Sequence, residues 1–161
     1  PGKAQTPQGG SSEVKNRENS EIASRAVGSE ELRQIAQAIG LEFQLLDDER
    51  HPDAKLGRDG NRTLGSVYDL ITASSAKQPN PIGAWNTARI VVAGKHVEHW
   101  LNGKLVVAYD RGTPEFRMVV AQSKFKNIPG FGEWADGHIL LQEHGNTVSF
   151  RNIKIRVPAS K

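Results

Sequence analysis

Asn102-Gly103 lies between two runs, 97–101 and 104–109, in which apolar and polar residues alternate. Both residues of a two-residue hairpin turn must take positive φ, which Asn and Gly tolerate and most other pairs resist. This dipeptide therefore fixes two antiparallel strands, their register and the faces of their side chains. Val97, His99 and Leu101 fall on one face, and His96, Glu98 and Trp100 on the other. Residues 88–93 read as a third strand beside them.

The rest of the chain reads as short strands and loops. Leu41, Phe43 and Leu45 alternate with Glu42 and Gln44, which predicts a half-buried strand with the two polar residues on its open face. Residues 49–63 form a polar loop, 66–71 a short strand, and 72–84 another loop. Thr113-Pro114-Glu115 opens a helix with Pro at its first position, and Phe116, Val119, Val120 and Ser123 follow at helical spacing. Ser29-Glu30-Glu31-Leu32 opens another, with Leu32, Ile35, Ala36 and Ile39 on one face and Gly40 ending it. Residues 138–144 and 148–157 read as strands. In the last one the apolar positions change parity between Phe150 and Ile153, which predicts a bulge near Arg151-Asn152. Strands dominate, and no strand–long helix–strand unit occurs. The fold expected is an all-β, antiparallel β-sandwich with one or two short helices.

The apolar residues are unevenly spread. All ten aromatics, five Phe, three Trp and two Tyr, lie at Phe43 or later. Residues 1–30 hold only Ala4, Val14, Ile22, Ala23, Ala26 and Val27 from the apolar set. Such a stretch buries too little to offset its ordering entropy. We therefore expect residues 1–18 to be a flexible polar segment and 19–158 to be the domain. The chain opens on Pro1 with no leader pattern, which reads as a processed or trimmed product. Its 161 residues contain no Cys, which excludes disulfides, a thiol nucleophile and a Cys-ligated metal. Its 21 basic and 18 acidic side chains give a net charge of +3. They are intermixed and not interleaved with aromatics, which argues against a nucleic-acid partner. No apolar run reaches membrane-spanning length.

The candidate chemistry lies on polar strand faces. Glu42-x-Gln44-x-x-Asp47 has the layout of the E-x-D-x-(x)-E strand of jelly-roll glucanases, with Gln and Asp at the second and third positions. Paired carboxylates of that kind supply acid and base for glycosidic cleavage; the bland alternative is a hydrated strand edge. Asp47, Asp48, Glu49, Arg50 and His51 then place three acids and a His at the strand end. They could hold a divalent cation on oxygen ligands, supply a base, or form a solvated turn. Gln142 and His144 share an open face next to Gly145. Trp100 could stack on a sugar ring, but core packing is the commoner fate of a Trp.

Five stretches carry a resemblance: GLEFQLLDDERHPDA (40–54), GSVYDLI (65–71), WNTARIVVAGKHVEHWLNG (85–103), SKFKNIPGFG (123–132) and GHILLQEHGNTVSFRNIKIR (137–156). Together they resemble the bacterial 3-keto-disaccharide hydrolase family, over about 40–157 and in order. The resemblance implies a concanavalin-A-like jelly roll, a carbohydrate substrate and a periplasmic or secreted location. Residues Asn19 to Arg25 keep the Asn, Ser, Ile and Arg spacing of the family's G-N-S-G-I-x-x-R segment, but Glu18 and Glu21 replace its glycines. The strands that should precede this segment are not legible, so the sandwich is expected to be incomplete at its front edge.

The chemistry implied is cleavage of a glycoside oxidised at C3. The ketone acidifies the C2 proton, a base removes it, and the C1 leaving group departs with help from an acid. The candidates for proton transfer are Asp47, Asp48, His51 and His144, with Asp47, Asp48 and His51 as the ligands of any divalent cation. Arg25, Glu42, Gln44, Tyr68, Lys124 and Gln142 are the candidates for binding substrate. The other classes open to such a sandwich are a non-catalytic carbohydrate-binding or laminin-G-like module and a purely structural domain.

Overall fold

In the computed structural model, which describes residues 40–143 and 145–157, Asn102 and Gly103 turn the chain at φ of 49° and 79°. Three antiparallel strands follow one another in a single sheet: β1 (Ala88–Ala93), β2 (His96–Leu101) and β3 (Lys104–Asp110). Strand β2 is central, and its alternation is the one the sequence predicts. Val97, His99 and Leu101 are buried, while His96, Glu98 and Trp100 are half-buried on the opposite face. A bulge lies in the β2–β3 pairing: His99 faces Val107, but Trp100 faces Leu105. The extra residue, Val106, is therefore buried beside Val107.

A short α-helix, α1 (Pro114–Ala121), comes after the sheet. Thr113 caps it by accepting the Phe116 N–H at 3.2 Å, and Pro114 needs no partner for its missing N–H. The helix buries Phe116 against Tyr109 of β3, with the rings stacked at 5.8 Å. Rings continue through the core from there. Tyr109 meets His99 edge-on at 6.1 Å, and His99 stacks on Phe43 at 4.7 Å. Phe125 and Phe131 stack at 4.1 Å in the segment after α1. Leu64, Val67, Leu70 and Ala73 come from the loops before β1 and complete the cluster. The antiparallel, all-β character expected is thus observed, with one α-helix among the described residues.

Several expected elements are corrected. Residues 41–45 contribute an isolated bridge, Phe43 to Val67, and no continuous strand. Gln44 and Gly65–Ser66 exchange two backbone bonds, Gln44 N–H to Ser66 at 3.0 Å and Gly65 N–H to Gln44 at 2.9 Å. That pairing turns Gln44 inward, at 7 % exposure, and leaves Leu45 41 % exposed, the reverse of the alternation expected. Residues 66–71 bridge only at Val67 and Ile71, because Asp69 takes a left-handed φ of 60° and breaks the extended run. In 138–143 and 148–157 the described residues form no ladder, and Ile139, Leu140, Ile153, Ile155 and Val157 are exposed. A strand pattern supplies faces; only a partner edge supplies the hydrogen bonds that make a strand. Asn152 does take a positive φ, 55°, at the position where the bulge was expected, but it has no ladder to interrupt. The helix predicted from Ser29 and the segment 1–18 lie outside the described residues.

Candidate active site

The loops between residues 40 and 77 fold around one guanidinium. Arg62 Nε donates to Asp69 Oδ1 at 2.7 Å, and its NH1 donates to Asp53 Oδ1 at 2.9 Å. Asp53 sits in a 3-10 turn, Pro52–Lys55, whose entry His51 caps. Asp69 is buried, and its other oxygen accepts the Lys124 backbone N–H at 2.8 Å. Gln44 points its amide at the second oxygen of Asp53, at 3.5 Å. Tyr68 donates its backbone N–H to Glu42 at 3.0 Å. The Tyr68 ring lies 5.2 Å from the Arg62 guanidinium carbon and 4.1 Å from the Lys124 ammonium. A cation over a phenol ring is drawn to its negative face.

The electrostatics are graded across this cluster. Burial would lower the Arg62 pKa, but the hydrogen bonds of Asp69 and Asp53 outweigh it and hold the group above its ordinary value. Arg62 is thus a fixed positive charge. Burial pushes the Tyr68 phenol up to about 12 against the opposing charge of Arg62, with Asp53 and Glu42 adding to the rise. The phenol is neutral at pH 7 and can donate. Burial lowers the Lys124 ammonium, with Glu42 pulling the other way and Arg62 adding to the decrease. Its proton is held less tightly than that of a free lysine.

The structure thus gathers Glu42, Gln44, Tyr68 and Lys124, four of the residues the sequence singles out for substrate. The other described candidates have different partners. Asp47 closes a turn by accepting the N–H groups of Glu49 at 3.0 Å and Arg50 at 3.2 Å. Asp48 accepts the Leu64 N–H and pairs with Lys77, both at 2.6 Å. His51 accepts the Asp53 N–H at 3.2 Å through Nδ1. Each is occupied in bracing the loops, and among the described residues no three His, Asp or Glu side chains converge as a metal site. Gln142 is exposed in an extended segment. Arg25 and His144 lie outside the described residues. Two shallow cavities flank α1, one lined by Val120 and Phe131 and the other by Val119 and Tyr109. Neither includes a residue of the Arg62 cluster.

Asp53, Arg62 and Asp69 are missed by the sequence reading. Arg62 sits in a polar loop with no periodicity, and nothing local marks it. The nearest signal was adjacency: Asp69 follows Tyr68, and Asp53 follows the His51 cap.

A three-stranded sheet faced by loops that gather acids, two cations and a neutral phenol has the components for proton transfer on a polar ligand. The chain belongs to the 3-keto-alpha-glucoside-1,2-lyase-like domain family, whose profile matches residues 5–156. A 3-keto-disaccharide hydrolase of Bacteroides thetaiotaomicron is 39% identical over 127 residues, which cover 72% of this chain and 43% of that protein. The chain therefore spans less than half the length of that relative. A solved structure of a protein provisionally termed a glycosyl hydrolase, from Parabacteroides distasonis, aligns over 57% of this chain and 44% of its own. It does so at 27% identity and a TM-score of 0.48.

Proposed function

We propose that this domain cleaves glycosides oxidised at C3 by removing the C2 proton, expelling the C1 substituent and adding water. One observation carries the reading: in a chain of this family, the Tyr68 ring lies 5.2 Å from Arg62 and 4.1 Å from Lys124, and the Glu42 charge acts on both Tyr68 and Lys124. The C3 ketone acidifies the C2–H bond, so a carboxylate suffices as base, and Glu42 takes that part. The electron pair of the broken C2–H bond moves into a C2–C3 enolate. Lys124 stabilises the enolate oxygen, with the fixed charge of Arg62 behind it. The C1–O bond then breaks, and the neutral Tyr68 phenol offers the leaving oxygen its proton. Water adds back across C1 and C2, which completes a hydrolysis. Gln44 orients Asp53, and through it Arg62. His144 and Asp47 keep the proton-transfer parts their sequence positions suggest, to be tested in the same assay.

The test is incubation of the protein in D2O with a 3-keto-disaccharide, with and without chelator. Release of both monosaccharides, with deuterium at C2 of the 3-keto sugar alone, is the expected result. Glu42→Gln and Lys124→Ala should each lower turnover by about 100-fold, the scale of a lost general base or oxyanion partner. His144→Ala and Asp47→Ala, run alongside, assign or remove their parts. Full turnover in both Glu42→Gln and Lys124→Ala overturns the assignment of this cluster. Sugar binding without cleavage by the unaltered protein makes the domain a carbohydrate-binding module instead.

A further inference from the structure

We infer that Asp69 is the positioning residue of this cluster: one carboxylate grips the Lys124 backbone and the Arg62 guanidinium together, and so sets the Lys124 ammonium over Tyr68. The inference rests on reading the cluster as the site of proton transfer.

The geometry is specific to Asp69. Its Oδ1 accepts from Arg62 Nε at 2.7 Å, and its Oδ2 accepts from the Lys124 N–H at 2.8 Å, joining positions 55 residues apart in the chain. Its own N–H donates to the Asn61 carbonyl at 3.0 Å. The residue is buried and held at a left-handed φ of 60°. Among residues with a side chain, Asp and Asn adopt that conformation most readily. Next to Lys124, Ser123 Oγ accepts the Phe125 N–H at 3.0 Å, so the segment is fixed on both sides of the lysine. Tyr68 is tied by its backbone to Glu42. The ring and the ammonium are therefore placed by separate anchors, and Asp69 supplies the one for the ammonium. Asp53 also binds Arg62, but it does not touch the Lys124 backbone.

Asp69→Asn is the sharp probe. Asn keeps the shape and tolerates the same φ, but one of its two terminal atoms becomes a donor. That donor must face either Arg62 Nε–H or the Lys124 N–H, so one of the two bonds is lost. At neutral pH the Lys124 amide signal should move in Asp69→Asn, which removes either its acceptor or that acceptor's charge, and should stay close to its place in Asp53→Asn. On a 3-keto-disaccharide, Asp69→Asn should lower kcat by about 10- to 100-fold, the scale of a small misplacement of a reacting group, with KM within about 3-fold. Asp53→Asn should lower kcat less. A Lys124 amide signal that is unmoved in Asp69→Asn overturns the inference, as does an unchanged kcat in that variant. If the unaltered protein does not turn over the substrate, the proposed function fails. The amide comparison between the unaltered protein and Asp69→Asn still decides whether Asp69 positions Lys124.

Discussion

Val97, His99 and Leu101 are buried because β2 alternates, while Arg62, Asp53 and Asp69 are held in the loops by one another. The sheet rests on a backbone ladder and a row of stacked rings. The loops between 40 and 77 have only isolated bridges, and side-chain bonds to backbone take the place of a ladder. Ser66 Oγ accepts the Ala73 N–H at 2.9 Å, Asp48 accepts that of Leu64, and Lys77 donates to the Leu64 carbonyl at 3.0 Å. The difference separates two duties. Apolar burial is non-directional and tolerates small shifts, so it suits a support. Charge-assisted bonds fix angle as well as distance, so they suit a place where protons must be passed. Asp47, Asp48 and His51, which the sequence offers for proton transfer, also brace the loops.

The largest expected effect lies in the sheet. Leu101 is fully buried in β2, and Leu101→Ala removes its side chain from the cluster that backs the loops. Loss of about 2–5 kcal/mol is expected, read from the urea midpoint at unchanged m-value. Turnover per folded molecule should be retained, because no group of the Arg62 cluster moves. A loss of turnover beyond the unfolded fraction would mean the two regions are not separable.

Arg62→Met comes next and should behave in the opposite way. It leaves the Asp53 and Asp69 carboxylates partly buried without their cation, at a cost of about 1–3 kcal/mol. Turnover should fall far more than stability does, because Asp69 also holds Lys124. An Arg62→Met protein that is destabilised but fully active would make the cluster a structural brace like the Asp48–Lys77 pair.

The same division explains what was legible in the sequence. Asn102-Gly103 and Thr113-Pro114 are local signals, because the turn and the cap they form are built from their own few residues. The β2 alternation is nearly local, since a hairpin sets its own register. Gln44 and Leu45 were misread because a period of two assumes a ladder continues past them. Here the partner is a two-residue contact with Gly65 and Ser66, and Asp53 gives the Gln44 amide a reason to turn inward. The alternation in 148–157 was read as a strand, but its partner edge is not a property of those residues. Arg62 had no signature of its own. Its role comes from acids 9 residues before and 7 residues after it, a spacing that only the folded loop makes meaningful. Tyr68 and Lys124 enter through the family resemblance, which carries tertiary information that periodicity does not, whereas Glu42 is marked first by its polar strand face.

The third effect is a pH response inside the sheet. His99 is buried, stacked on Phe43, with Nδ1 at 3.1 Å from the Gly65 carbonyl. Burial lowers its pKa below the ordinary 6.5, and the Gly65 bond only partly opposes that. The unfolded chain then binds the proton more readily than the folded one. Stability should decline as pH falls below about 6.5 and level off below the depressed folded value. His99→Gln should abolish this slope between pH 7 and 5, at some loss of stability at pH 7. A slope that survives the substitution would place the acid sensitivity among the loop carboxylates, reversing which region is the pH-dependent one.

The smallest effect comes from three residues earlier on the same strand, on the outer face. His96 Nδ1 lies 2.9 Å from Asp110, and Nε2 lies 3.5 Å from Glu98. The Asp110 hydrogen bond raises its pKa, and Glu98 adds to the rise. The sign is the reverse of that for His99: the protonated form is favoured in the folded state, so its contribution is present at low pH and lost as pH rises through the raised value. The group is exposed, so water screens the pair and little of this should reach the urea midpoint. It should be visible in NMR, where the His96 ring titrates above 6.5 and the His99 ring below it. Asp110→Asn should bring His96 back toward 6.5 and leave His99 where it is. If both rings titrated on the same side of 6.5, the two faces of β2 would not differ in solvation as their burial requires.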